Sequence, residues 1–240
     1  VRPRTRAPRA GDSGDLSVRV GPGTGDRGTE VGDFSVDLAK IYSIKLARSP
    51  GVAARVAFWM LSSELHAVAC YRYGQLAKVV RARNPVAGNV LVASHRVWNR
   101  WLTHVDHIDI SPRAVIGPGL LVMHRHGVMV GPAVIGSNCV IHQNVTIGQR
   151  VAGGDHGMPR IGDNVWIGPG AIITGAITVG DGATISAGTV LSRDVPAAAL
   201  VGGNPGRVAA QHYDNSALVN FVLPLGTKSA GEVSRVRSAG

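Results

Sequence analysis

The sequence predicts a mainly β fold, a parallel β-helix of six-residue repeats, preceded by a small α-helical cap and a disordered N-terminal tail. Three observations carry the prediction. Aliphatic residues recur every sixth position after residue 106: Ile110, Ile116, Val122 and Val128, then, one residue out of frame, Ile135, Ile141 and Ile147. After an interruption the series resumes as Ile161, Ile167, Ile173, Val179, Ile185 and Leu191. Glycine follows six of these residues directly (Gly117, Gly136, Gly148, Gly162, Gly168 and Gly180), and glycine suits a tight corner or a positive φ. The position two before the aliphatic is usually small or apolar, as at Ala114, Cys139, Val145, Val165, Ala171, Ala183 and Thr189. Short strands joined by tight corners satisfy this period when coils stack and pair their backbones above and below.

Residues 1–32 are rich in Gly, Pro, Arg, Asp and Ser without hydrophobic period, which predicts disorder. The Gly11-Asp-Ser-Gly14 stretch resembles a serine-protease nucleophile segment. A catalytic serine needs a positioned histidine and a rigid oxyanion hole, and a disordered tail supplies neither. Residues 33–104 carry helical spacing, predicting two or three short helices interrupted at Arg83-Asn-Pro85 and at Gly88-Asn89. The coils occupy 105–208 with a loop at 149–160, and 209–240 form a C-terminal tail.

Lys+Arg number 25 against Asp+Glu 15, a net charge of +10. Between Lys40 and Trp101 Glu64 is the single acid, so the positive charge is local. A basic helical segment with Phe58, Trp59, Tyr71, Tyr73, Trp98 and Trp101 suits an anionic surface. It better suits a subunit-packing cap, which is the reading adopted, with neither nucleic-acid nor membrane contact expected. No apolar run reaches the length of a spanning helix, and the Arg-rich N-terminus lacks a signal's apolar core, so a cytoplasmic protein is expected. Two cysteines, Cys70 and Cys139, do not make a disulfide scaffold.

From Ala67-Val-Ala-Cys-Tyr-Arg-Tyr-Gly74 through His107-Ile-Asp-Ile-Ser-Pro112, Met123-His-Arg-His-Gly-Val-Met-Val-Gly131 and Val140-Ile-His-Gln-Asn-Val-Thr-Ile-Gly148, the chain resembles the hexapeptide-repeat acyltransferases. It is most similar there to the serine O-acetyltransferases. Gly153-Gly-Asp-His-Gly-Met-Pro159 and Val201-Gly-Gly-Asn-Pro-Gly-Arg207 continue the likeness. The resemblance implies a left-handed β-helix, a homotrimer with sites between subunits, and acetyl-CoA as co-substrate with no metal. Whether trimers pair into hexamers stays open, because the family's longer helical domain is truncated here.

The resemblance also implies site residues: His124 as general base, with Asp109 orienting its imidazole. The two are fifteen residues apart, close to one coil, so they could lie one above the other. Histidine suits proton removal from a hydroxyl because it titrates near neutrality, and a carboxylate behind it fixes the tautomer. Met123, Arg125 and the loop residue His156 fall at acceptor-binding positions. Gly148, Pro169, Ala187, Gly203 and Arg207 fall where the coenzyme A arm is held, small residues allowing close approach and Arg207 offering a phosphate fork.

The chain departs from the family on the acceptor side. The family's acid before the base is Met123 here, its Arg-Asp-Pro is Arg48-Ser-Pro50, and Gly157 and Met158 separate His156 from Pro159. A thioether recognises an ammonium poorly. The acceptor is therefore read as the hydroxyl of L-serine or a serine-like compound, with a sugar or other small hydroxyl compound, as in cell-surface polysaccharide or secondary metabolism, kept open. The chain ends Val236-Arg-Ser-Ala-Gly240 rather than in Ile, so no cysteine synthase complex is expected. A zinc enzyme on the same coil would need His-x4-His, which the repeat region lacks, and the acid-base pair argues against a catalytically silent scaffold.

Overall fold

A computed structural model of the chain describes residues 29–46, 51–124, 126–150 and 157–224. The expectations for residues 1–28 and for the end of the C-terminal tail lie outside them. Four helices come first: α1 (Thr29–Lys45), α2 (Val52–Leu61), α3 (Ser63–Arg83) and α4 (Pro85–Val105). Helix α1 thus begins inside the segment whose composition predicts a tail. Helix α3 starts where Ser62 Oγ accepts from Leu65 N at 3.3 Å, with Glu64 in its first turn and Arg81 and Arg83 in its last, the charge order a helix dipole favours. Asn84 ends it and caps α4 through Ala87 N, with Pro85 at the first helical position.

Gly88-Asn89 does not interrupt α4 as the sequence predicts. The glycine is there for contact, since a Cβ on Gly88 would lie 2.1 Å from Arg81 Cα of α3. Gly74 makes the matching approach, where a Cβ would lie 2.6 Å from His95 Nε2. Tertiary packing overrides the local helix cost of glycine.

Five coils follow. The first is β1 (Asp109–Ile110), β2 (Val115–Ile116) and β3 (Leu121–Met123); the second β4 (Met129–Val130), β5 (Val134–Ile135) and β6 (Val140–His142). The third is β7 (Thr146–Gly148), β8 (Arg160–Ile161) and β9 (Trp166–Ile167); the fourth β10 (Ile172–Thr174), β11 (Thr178–Val179) and β12 (Thr184–Ile185). The last has β13 (Val190–Leu191), a bridge at Val195 and β14 (Leu200–Gly202), against which β15 (Arg207–Ala210) turns back antiparallel. A short helix, α5 (Ser216–Val219), ends the described elements. Strands stack into three parallel faces: β1-β4-β7-β10-β13, β2-β5-β8-β11 and β3-β6-β9-β12-β14.

The aliphatic column is the core of the coils, with one correction to the sequence frame. Val130, not Val128, stacks between Ile110 and Ile147. Val128 is fully buried, but it belongs with the small corner series of Ala114, Cys139 and Val145. Val130 follows Val122 by eight residues where the hexad has six, and this displaces the frame. Five of the six glycines after the aliphatics, all but Gly148, also have another reason than a positive φ. None of the six has a positive φ. At Gly136 a Cβ would sit 2.4 Å from the Gly162 carbonyl carbon of the next coil, so coil spacing, not backbone strain, excludes a side chain. Positive φ falls instead on other corner residues, among them Gly170, Gly182 and Gly188 and the asparagines Asn138, Asn144 and Asn164, residue types that tolerate it.

The first coil would otherwise expose an unpaired strand edge, and side chains of α1 and α3 cover it. Tyr71 Oη accepts from Ile116 N and donates to Ala114 O, both at 3.1 Å, and Gln75 Nε2 donates to Ala114 O at 2.8 Å. Arg72 donates to the carbonyls of Ile116 and Gly117 at 2.8 and 2.7 Å and to the Asp37 carboxylate at 2.8 Å. Asp37 in turn accepts from Gly119 N and Leu120 N at 2.7 and 2.8 Å. Burial pushes its carboxyl pKa up, against the opposing pull of Arg72 and those two amides.

Lys40, fully buried on α1, donates to Gly119 O, Asn138 O and Asn138 Oδ1 at 3.0, 3.0 and 2.7 Å. Burial lowers its pKa to about 8 from 10.5. Below pH 8 the ammonium is charged in folded and unfolded chains alike and its burial cost is fully felt. Between 8 and 10.5 the unfolded chain holds the extra proton, so stability gains as pH rises. The parent is therefore expected to gain on Lys40→Met by up to about 3 kcal/mol across that window, read from urea melts at several pH values. An unchanging difference would mean that Lys40 keeps its proton throughout.

Candidate active site

The chain leaves β3 at Met123 and turns at His124, which adopts φ +61 and is exposed at the corner between the third and first faces. His142 stands one coil on, since Met123 and His142 pair in register. The His124 and His142 rings are 6.0 Å apart, and His142 lies 4.8 Å from the Trp166 ring. Burial, and after it the neighbouring His124, holds the His142 imidazole below its ordinary pKa. A second pair, His107 and His126, meets edge-to-face at 5.8 Å beside it.

Asp109 opens β1 on the adjoining face and is half-buried. The residue above it in register is Met129, not His124, and Thr146 stands above that. His124 lies instead at the corner that closes Asp109's own coil. Asn99 of α4 donates to Asp109 Oδ1 at 3.1 Å, holding one carboxylate oxygen. Both named residues thus border the same turn of the first coil, the aspartate on the strand and the histidine on the corner.

Of the coenzyme positions, three share the His124 edge. Gly170 N donates to Gln143 O at 2.9 Å, Gly188 N to Pro169 O at 2.8 Å and Val190 N to Gly203 O at 3.1 Å, so Pro169, Ala187 and Gly203 succeed one another up that corner. Ala187 and Gly203 are exposed there. Gly148 lies on the other edge of the first face, bonded through its carbonyl to Gly175 N at 3.1 Å, and a Cβ on it would meet nothing within 4 Å. Arg207 is exposed on β15, opposite Gly202. Arg125 and His156 lie outside the described residues.

Sequence reasoning missed Asn99, Met129 and Met158. Met129 is open to solvent between Asp109 and Thr146. The Met158 methyl would be 2.9 Å from a Cβ on Gly131, just past the end of β4. The coil register reveals these placements, and no spacing in the sequence announces them. Neither cysteine offers a nucleophile, because burial pushes both thiols up to about 12. Among the described residues no group of three or more His, Cys, Asp or Glu could hold a metal ion.

Stacked coils of six-residue repeats with a helical cap point to the hexapeptide-repeat transferases. The family model for bacterial transferase hexapeptides (six repeats) matches residues 158–193. Serine acetyltransferase from Synechococcus elongatus is 34% identical over 172 residues, covering 71% of this chain and 67% of the relative. That of Mycobacterium tuberculosis is 32% identical over 161 residues, covering 56% and 70%. The chain belongs to the serine acetyltransferase family and is an acyltransferase. It spans less of some longer relatives, 39% of Arabidopsis thaliana serine acetyltransferase 2 at 36% identity. Among solved structures it is similar to the Brucella abortus serine acetyltransferase, with TM-score 0.61 at 27% identity, covering 75% of this chain and 69% of that one. The soybean enzyme complexed with serine gives TM-score 0.59 at 31% identity, covering 75% and 70%.

Proposed function

We propose that the protein transfers acetyl from acetyl-CoA to the hydroxyl of L-serine or a serine-like acceptor, with His124 as general base. The observation that carries this reading is the position of His124, exposed at the head of the edge formed by Pro169, Ala187 and Gly203. The family supports the reaction, and the soybean relative is a complex with serine. The acceptor oxygen attacks the thioester carbonyl while His124 takes its proton. The new C–O bond forms, the C–S bond breaks, and the proton passes to the departing thiolate. Asp109 orients the imidazole and stabilises its charged form, and Asn99 keeps the carboxylate aimed. Small residues at Ala187 and Gly203 let the coenzyme arm lie against the backbone, with Gly148 and Arg207 as further contacts and Met123, Arg125 and His156 on the acceptor side. The active unit is a cytoplasmic homotrimer.

The test is release of free coenzyme A from acetyl-CoA with L-serine, then with sugars and hydroxy amino acids. Serine-dependent release is the expected result. Turnover with a sugar alone overturns the acceptor and matches the apolar surroundings that Met123 and Met129 create. Asn99→Ala is expected to lower kcat about tenfold with KM for acetyl-CoA unchanged and the acid limb of the pH profile displaced, since a loosened carboxylate orients the base less well. A fall in thermal stability with no change in that profile would make Asn99 a packing residue only.

A further inference from the structure

We propose that the helical cap docks on an anionic lipid surface through one face shared by α2 and α4. This goes beyond the acyl-transfer reading and does not depend on it.

Helix α2 is apolar nearly all round, yet none of its residues is buried. Met60 and Leu61 are 72% and 76% exposed, with Val52 and Val56 also open. Helix α4 turns Gly88, His95 and Leu102 inward and leaves Val86, Val90, Val97, Trp101 and Val105 exposed at helical spacing on the opposite side. His66 joins the two surfaces. Its Nε2–H donates to Trp59 O near the end of α2 at 2.6 Å, and it lies 6.2 and 6.3 Å from the Trp98 and Trp101 rings of α4. Exposed aliphatics of both helices thus flank His66 together with Trp59, Trp98 and Trp101, a clustering that scattered surface aliphatics do not show.

Charge selects the occupant. Arg55, Arg96, Arg100 and His104 flank the face and are exposed, and neither helix carries an acid. A second copy docked through this same face would oppose these cations to their own kind. The α4 stripe lies opposite the side that meets α3 and Asp109 of β1. A nucleic acid would meet the charge but leave Val97, Met60 and Leu61 in water. Anionic headgroups over acyl chains meet both, with tryptophan at the boundary between them. No helix among the described residues is long and apolar enough to cross a membrane, so the face lies in the surface plane. The composition alone favours a subunit-packing cap. The exposed side of α2 and α4 changes that reading.

The full chain should sediment with vesicles of phosphatidylglycerol and phosphatidylcholine but not with phosphatidylcholine alone, with a blue shift of tryptophan emission and weakening in salt. Leu61→Glu with Trp101→Glu should lower binding about tenfold or more, and Arg96→Gln with Arg100→Gln should remove the preference for phosphatidylglycerol, both melting as the parent does. Absence of vesicle binding, or binding unaltered by the first pair, overturns the proposal. So does a smaller assembly mass for that pair in sedimentation, which would give the face to a second copy. Coenzyme A release measured alongside separates this result from the acyl-transfer reading.

Discussion

Replacing His124 by alanine is expected to lower turnover about 10²–10⁴-fold while assembly mass and affinity for acetyl-CoA stay near those of the parent. The side chain is exposed at a corner, holds no core contact of its own, and is left in the left-handed region by the turn of the backbone. Removing it deletes a proton acceptor without opening a cavity. His124→Asn keeps a residue type suited to positive φ, so comparing the two variants separates backbone strain from lost chemistry. Steady-state rates with saturating acetyl-CoA make the measurement. Near-parent turnover in both variants would remove His124 from the mechanism.

Arg72→Ala is expected to cost about 3–5 kcal/mol, seen as a large fall in the urea midpoint. The loss exceeds that of an ordinary salt bridge because three groups lose their partner together. Asp37 would be left as a buried carboxylate, and the carbonyls of Ile116 and Gly117 would face the helices unpaired. Arg72→Lys should recover little, since one ammonium cannot reproduce a fork spanning a carboxylate and two carbonyls. A change of under about 1 kcal/mol would mean that water or a shifted α3 takes over these contacts.

The repeat was legible because a coil repeats one environment. Inward positions must be aliphatic, the corner positions before them small or apolar, and five of the six glycines after them sit where the next coil leaves no room for a side chain. That gives a period which survives in sequence from Ile135 to Leu191. The frame failed at Val128 because the chain through His124 runs eight residues from Val122 where the hexad has six, and this displaces the inward column to Val130. Gly88 was misread for a related reason. Its helix cost is local and visible in sequence, whereas its approach to Arg81 of α3 is not.

The family likeness named His124, Asp109 and the edge of Pro169, Ala187 and Gly203, and the coil register sets the last three in one line above the same corner. Asn99 was silent in the sequence, because an asparagine on a helix has no periodic signature and its partner lies ten residues away across a turn.

By itself the sequence determined the stacked coils, their inward column and the family, since these repeat or persist locally along the chain. Only the tertiary structure decided how the open edge of the first coil is closed by Tyr71, Arg72, Gln75 and Asp37, and which faces of α2 and α4 remain uncovered. Those outcomes depend on which polar groups of distant segments meet, and a hydrogen bond across forty residues leaves no period to read.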